Sequence, residues 1–102
     1  MDELQIVYTT EAMQDILGIS DYYFDKVGES AALRAVGALQ NNIDKLMRFP
    51  RMGEEHSDEY LKVLNLCKLA HDNHIVIYRV DTEIVIIERI VWASGNYPEL
   101  FL

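Results

Sequence analysis

The sequence predicts one α+β domain, spanning residues 1–102, in which an antiparallel helical hairpin packs on an antiparallel sheet of about four strands. Its length is enough for one modest hydrophobic core. Two successive segments carry apolar residues at helical spacing. Residues 74–91 hold two β-branched runs on either side of a polar break at Asp81-Thr82, which is typical of a β-hairpin. The predicted order is strand, helix, helix, strand, strand, strand.

The first strand and first helix follow each other directly. Leu4 to Tyr8 is a short β-prone run, and Thr9 or Thr10 can cap a helix that begins near Glu11. The apolar positions of that helix recur at intervals of four, three and four residues: Ala12, Ile16, Ile19 and Tyr23. Gly28 is expected to end the helix near Val27.

A second helix is predicted from about Glu29 to Phe49, because Pro50 forbids its continuation. Its apolar stripe continues for about five turns through Ala32, Val36, Leu39, Ile43 and Leu46. Two helices joined by a few residues around Gly28 must lie antiparallel.

The second half of the chain is predicted to form strands. Arg51–Asp58 is polar and is expected to be a surface loop, and Tyr60–Leu69 favours a strand over a helix. His71-Asp72-Asn73 then makes a turn. The closing runs, His74–Val80 and Glu83–Val91, are apolar on both faces, which is expected of central strands.

Composition excludes several classes of function. The formal net charge is −8, and the nine basic residues form no cluster of four, so direct, strong nucleic-acid binding is not expected. No apolar run approaches the roughly 18 residues of a membrane span. The acidic N-terminus does not resemble a secretory signal, so a cytoplasmic location is expected.

The sequence gives no indication of a metal or a cofactor. The only cysteine, Cys67, has no partner for an internal disulfide and is expected to be a packing residue. His56, His71 and His74 are too scattered for a ligand set and are expected at the surface. We therefore expect neither a metal site nor a bound cofactor.

Four pieces of the chain resemble the RelE/ParE superfamily of toxins from bacterial type II toxin–antitoxin modules. Ile6–Ala12, followed by Asp15-Ile16, is similar to the family's first strand and helix entry. Phe49–Gly53 resembles the phrase that ends its second helix, and His74–Asp81 its penultimate strand. Arg89–Tyr97 is similar to its last strand and tail. The resemblance covers nearly the whole chain and implies the α+β fold predicted above.

The family contains ribosome-dependent mRNA endonucleases of the RelE type, whose chemistry needs a base, an acid and cations. Where RelE-type enzymes place a strand arginine, three residues before Tyr78, this chain has Ile75. The usual tail arginine falls on Ser94 or Gly95. Trp92 stands at the aromatic-or-histidine position, where it can stack on a base but cannot transfer a proton.

The resemblance is closer to the ParE branch, whose members bind and poison DNA gyrase. Tyr78–Asp81 is a ParE-like phrase, although ParE-like members commonly keep a tail arginine too. The resemblance therefore implies a non-enzymatic toxin, connected with plasmid stabilization and growth inhibition and neutralised by a cognate antitoxin protein. A RelE-type endoribonuclease with substituted catalytic groups, acting at the ribosome, and a non-toxic member that only binds its antitoxin remain open alternatives.

Seven residues are candidates for contact with the target or the antitoxin, namely Lys62, Arg79, Arg89, Trp92, Ser94, Asn96 and Tyr97. No catalytic residue is assigned. Plainer roles compete with these assignments. A cross-strand ion pair with Glu88 or Asp81 explains Arg79 and Arg89.

Two further plain explanations remain. Lys62 and Lys68 bracket the strand predicted at residues 60–69, where lysines at a sheet edge would block aggregation. Trp92 and Tyr97 either form a binding lip or anchor the C-terminal segment against the sheet.

Overall fold

The computed structural model describes residues 3–101 and confirms the predicted architecture. The helices are α1 (Thr10–Val27), α2 (Glu29–Asp44) and α3 (Glu59–Val63). The strands are β1 (Gln5–Tyr8), β2 (Glu54–Glu55), β3 (Cys67–His71), β4 (His74–Asp81) and β5 (Ile84–Trp92). Two 3-10 segments occupy Lys45–Met47 and Tyr97–Phe101. Within residues 3–101, none of the helices combines the length and apolar character that crossing a membrane requires.

The sheet has five strands in the order β1-β5-β4-β3-β2, where about four were expected. Strands β2 to β5 pair antiparallel with their neighbours, but β1 runs parallel to β5, with Gln5 beside Ile84 and Tyr8 beside Ile87. The two helices lie between β1 and the rest of the sheet in the chain, so they form the long connection that brings β1 to the far edge.

The helical hairpin begins and turns as predicted. The Thr9 hydroxyl accepts a hydrogen bond from the amide of Ala12 at 3.0 Å, so Thr9 is the N-cap of α1. Gly28 joins the helices at φ +94°, a conformation that residues with a side chain rarely adopt. The second helix is shorter than predicted, because the chain tightens into a 3-10 turn after Asp44 and leaves helical geometry before Phe49.

The prediction of a strand over Tyr60–Leu69 was wrong in its first half. Asp58 caps a short helix by accepting a hydrogen bond from the amide of Leu61 at 3.1 Å. The helix ends at Val63, and Asn65, with a φ of +61°, reverses the chain before β3 starts at Cys67. The cap favours a helix here because it satisfies an amide of the first turn that has no partner within the helix. The predicted turn is confined to Asp72 and Asn73, since His71 still pairs with His74.

Both faces of the sheet are covered. The helices pack against the main core, whose strand members include Leu69, Val76, Tyr78, Val85 and Ile87. Alternate residues of β4 and β5 point to the opposite face. There they form a second cluster with α3 and the C-terminal segment: Leu61, Leu66, Ile77 and Val91, with Ile75, Tyr97 and Phe101 packed against it.

Tyr78 links the main core to the loop after the second helix. It is fully buried, donates a hydrogen bond to the carbonyl of Pro50 at 2.9 Å, and accepts one from the amide of Gly53 at 3.1 Å. Burial raises the pKa of Tyr78, so the phenol stays protonated and able to donate. A Cβ at Gly53 would lie 2.5 Å from both the Tyr78 hydroxyl and the Lys68 carbonyl. The loop therefore requires glycine here.

We expect Gly53→Ala to lower the free energy of unfolding by about 1–3 kcal/mol, because the methyl group must displace Tyr78 or the β3 backbone. Gly37→Ala is the matched control, since nothing lies within 4 Å of its added Cβ and α2 is helical there. The control should gain about 0.5–1 kcal/mol. Urea denaturation measures both, and equal effects of the two substitutions would contradict the packing described for Gly53.

Candidate functional site

A groove of about 570 Å³ lies beside the second half of β5. Strand β1 pairs only with Ile84–Ile87, so within the described residues no strand continues along the rest of that side. The wall on one side is α1, and on the other it is the C-terminal segment. The lining residues are Gln14, Asp15, Gly18, Ile19, Tyr22, Arg89, Ile90, Val91, Trp92, Gly95, Asn96, Tyr97 and Leu100.

Four of the seven predicted site residues line this groove: Arg89, Trp92, Asn96 and Tyr97. The other three lie elsewhere. Lys62 is on α3, where its ammonium group is 3.5 Å from the carboxylate of Glu55. Arg79 is on β4, and Ser94 is exposed in the turn after β5 without lining the groove.

Arg89 is the only basic side chain that lines the groove among residues 3–101, and it is bound to α1. Its guanidinium donates two hydrogen bonds to Asp15, at 2.8 and 2.9 Å. The same carboxylate accepts the amide of Ile90 at 2.8 Å. The hydrogen bonds to Asp15 raise the pKa of Arg89. The cation is therefore permanently charged and already paired.

The ion-pair interpretation of the two arginines was correct for one of them. Arg79 forms the predicted cross-strand pair with Glu88, at 2.7 Å. Arg89 instead reaches a helix, because the ladder between β4 and β5 shifts its register at Ile77/Tyr78 and changes the alternation along β5. The expectation of edge lysines was wrong, since Lys62 is helical and Lys68 lies in β3 between two other strands.

Trp92 lies at the end of the groove in a stack of rings. Its ring contacts Tyr22 edge-to-face, with centroids 5.1 Å apart, and His74 at 4.2 Å. His74 is its cross-strand partner on β4. Trp92 remains 38% exposed, so it both anchors the end of β5 and presents a ring to the groove.

The expectation that the histidines lie at the surface was wrong for two of the three. His74 is buried beneath Trp92, and its Nε2 has no hydrogen-bond partner within residues 3–101. Burial, followed by the neighbouring His71, lowers the pKa of His74, while Asp72 opposes this. His74 is therefore held neutral at pH 7. A turn in the sequence does not reveal that its flanking side chains point inward.

His56 is also buried, and it fastens the C-terminal segment. Its Nδ1 accepts the amide of Asp58 at 3.0 Å, so in the neutral ring the proton is on Nε2, which lies 2.9 Å from the Tyr97 hydroxyl. The rings also meet edge-to-face. Burial and then Lys68 lower the pKa of His56, against the opposing influence of Asp58 and Glu54. Asn96 donates to Glu99 at 3.0 Å and stiffens the same segment.

The sequence matches a known protein family over most of its length. The model of the family described as "ParE toxin of type II toxin-antitoxin system, parDE" matches residues 6–97. The chain belongs to the ParE toxin family. No curated protein sequence matches this chain.

Two solved structures share the ParE fold of this chain. A chain of the chromosomal ParDE TA system from P. aeruginosa matches with a TM-score of 0.77 and 22% identity, over 90% of this chain and 98% of that chain. A chain of the toxin-antitoxin complex RelBE2 from Mycobacterium tuberculosis matches with a TM-score of 0.58 and 22% identity, over 88% and 98%. This member of the ParE toxin family thus shares its fold with both chains.

The contribution of α1 to the groove was not predicted from the sequence of this ParE family member. Gln14, Asp15, Gly18 and Tyr22 were not singled out as site residues. One signal was present, because Asp15-Ile16 was part of the resemblance to the family's helix entry. An acid placed next to a core residue at a helix entry indicates a partner in the sheet, but the partner cannot be identified from spacing alone.

We expect Asp15→Asn to destabilise the fold by about 2 kcal/mol, because it weakens charge-assisted hydrogen bonds and leaves Arg89 without its counter-charge. Asp21→Asn is the matched control on the same helix; its carboxylate is exposed, and the effect should stay within about 0.5 kcal/mol. In the Asp15→Asn background, adding Arg89→Met should cost little more. Additive losses in urea denaturation would show that the two residues act separately.

We expect the free energy of unfolding to fall as pH drops from 7 to 5. In the unfolded chain the histidines bind protons near pH 6.5. In the folded chain His56 and His74 have lowered pKa values and bind protons only at lower pH, so acid favours the unfolded state. Each contributes at most about 1.4 kcal/mol per pH unit.

His74→Phe should reduce this slope and leave stability at pH 7 unchanged or slightly higher, since it removes an unsatisfied buried nitrogen. His56→Phe should reduce the slope as well but lower stability at pH 7, because it leaves Asp58 and Tyr97 without their partner. Denaturation curves at pH 5, 6 and 7 measure both variants. If the stability of His74→Phe depended on pH as steeply as that of the unsubstituted chain, the assignment of this pH dependence to His74 would be refuted.

Proposed function

We propose that this chain acts by binding a protein target of the gyrase type through the groove beside Trp92, and that a cognate antitoxin neutralises it by covering the same groove. Membership of the ParE toxin family supports a toxin. The two similar structures are described as a ParDE system and as a toxin-antitoxin complex, which supports an antitoxin as the partner.

The ion pair between Arg89 and Asp15 favours a binding function over RNA cleavage. Metal-free RNA cleavage needs cations free to stabilise the charge that develops on the phosphate. Arg89 gives the edge formed by its Nε and one Nη to the carboxylate of Asp15, which neutralises the cation. Loss of one such charge-stabilising group typically costs about 10²–10³ in rate.

Two further aromatic residues at this end of the sheet, Trp92 and His74, do not supply acid–base chemistry to the groove. The indole of Trp92 cannot exchange a proton at neutral pH. His74 is buried beneath that ring and does not line the groove. Ile75, where a RelE-type enzyme has its strand arginine, packs with Tyr97 and Phe101 beneath the C-terminal segment. An apolar, packed side chain at this position supports binding over RNA cleavage.

The groove has the composition of a protein-binding surface. Trp92, Tyr22 and Leu100 are between 38% and 52% exposed and lie around its rim. Partly exposed Trp and Tyr held in a rigid frame are the residues that most often dominate protein–protein affinity. The ring contacts of Trp92 with His74 and Tyr22 fix its orientation before a partner arrives, which lowers the entropic cost of binding.

Induction of the chain in a bacterial host tests the proposal. We expect growth to stop and DNA breaks to accumulate, without cleavage of ribosome-bound transcripts. Co-expression of the small open reading frame next to this gene should restore growth and give a complex that purifies intact. Cleavage of transcripts in ribosomal frames would instead establish the RelE-type activity. Normal growth together with a stable complex would identify a non-toxic antitoxin binder.

Variants locate the surface involved. Trp92→Ala and Leu100→Asp should each abolish growth arrest, because both alter the rim of the groove. Phe49→Ala is the matched control, an aromatic residue 62% exposed outside the groove, and should remain toxic. Circular dichroism melting of the purified variants separates loss of binding from loss of fold. Full toxicity of both folded groove variants would exclude this groove as the target site.

A further inference from the structure

A second hollow, of about 560 Å³, lies toward the other edge of the sheet, where β2 and β3 pair. Its walls come from the loop after the second helix, from β2, from α3 with the turn that follows it, and from β3 and β4. It shares no lining residue with the groove beside Trp92. The two cavities are therefore separate sites on the described chain.

The hollow is rich in cations for a chain whose formal net charge is −8. Its lining holds two basic side chains, Arg51 and Lys62, and one carboxylate, Glu55. Arg51 forms no ion pair within residues 3–101. Lys62 lies 3.5 Å from Glu55, but the two side chains are 61% and 63% exposed, so water screens this pair and a ligand can displace it.

The backbone that carries Arg51 is held in place on both sides by one buried side chain. The Tyr78 hydroxyl donates a hydrogen bond to the carbonyl of Pro50 at 2.9 Å and accepts one from the amide of Gly53 at 3.1 Å. Tyr78 itself is fully buried in the main core. The loop therefore needs no ordering when a ligand arrives, which lowers the entropic cost of binding there.

The other groups that line the hollow are uncharged. Burial raises the pKa of the Cys67 thiol, while Arg51 opposes this rise and Glu55 adds to it, so the thiol is neutral at pH 7. Asn65 contributes an exposed amide side chain, and Val80, at 40% exposure, contributes an apolar one. Two cations, an amide and an apolar wall form a mixed lining of the kind that binds small organic molecules.

We propose that this hollow binds a small organic anion, whose carboxylate or phosphate group is held by Arg51 and Lys62 and whose apolar part lies against Val80. The planar guanidinium of Arg51 can form two parallel hydrogen bonds with either group. The volume is within the range of small-molecule sites. Lys62, a predicted site residue that lies outside the groove, thereby has a binding role that does not depend on the target of the groove.

The surroundings of the hollow favour a small ligand over a nucleic acid strand. Three further carboxylates belong to the same stretch of chain, Glu54 in β2 and Asp58 and Glu59 at the start of α3. A polyanion would be repelled by these groups and by the negative charge of the whole chain. A small anion needs to contact only the two cations.

Three aromatic probes of similar shape test the proposal: phenyl phosphate, benzoate and the neutral benzamide. Each is titrated into the purified chain, and binding is followed by the NMR chemical shifts of the Gly53 and Asn65 amides. At least one of the two anions should bind with a dissociation constant of about 1 mM or lower, and the tighter anion identifies the charged group that the site prefers. Benzamide should bind at least about tenfold more weakly than that anion. Absence of binding by both anions, or equal binding of benzamide, would overturn the proposal.

Substitutions distinguish a defined site from attraction by charge alone. Arg51→Gln should weaken binding of the tighter anion about tenfold, and Lys62→Gln about threefold or more, because each removes one cation from the hollow. Arg48→Gln is the matched control, since Arg48 is an exposed cation that pairs with Glu3 and does not line the hollow. It should bind the anion normally. Because all three substituted side chains are exposed, the fold should be retained. Equal weakening by Arg48→Gln and Arg51→Gln would refute the site.

Discussion

The carboxylate of Asp15 determines how the helices sit on the sheet. It accepts two hydrogen bonds from Arg89 and one from the amide of Ile90. That amide lies along β5 beyond the point where β1 has ended at Tyr8. Thr9, between β1 and α1, also bonds to β5: its amide donates a hydrogen bond to the carbonyl of Ile87, and its hydroxyl donates one to the carbonyl of Glu88. Side chains and the start of α1 therefore take over the hydrogen bonding that β1 provides earlier along the strand.

This exchange of partners also creates the groove. Had β1 continued alongside Arg89–Trp92, the side of β5 would be a closed ladder. Because the chain turns into α1 at Thr10, the helix stands beside the strand and leaves room between them. The opposite wall depends on the histidines. His56 holds Tyr97, and His74 supports Trp92, so two buried neutral rings fix the two ends of the C-terminal segment.

The features that the sequence predicted are those with a local cause. Helical spacing, the cap at Thr9 and the break at Asp81-Thr82 involve residues close in the chain. Four of the predicted residues lie together in the groove because they are close in the chain, from the end of β5 into the C-terminal segment: Arg89, Trp92, Asn96 and Tyr97. The failures involve distant partners. The parallel pairing of β1, the contact of Arg89 with Asp15, and the burial of His56 and His74 depend on segments between 18 and 79 residues away. Spacing within one segment carries no information about them.

The arginines of the two central strands are engaged by carboxylates, Arg79 by Glu88 and Arg89 by Asp15. Lys26 on α1 lies instead 5.9 Å from the ring centroid of Tyr22, which lines the groove. When the cations of a surface are already held in internal ion pairs, the surface binds partners through aromatic rings and apolar contacts, as at Trp92. Electrostatic attraction then comes only from charged groups that have no internal partner. The groove beside Trp92 therefore offers mainly rings and apolar contacts to a partner, because Asp15 already neutralises Arg89.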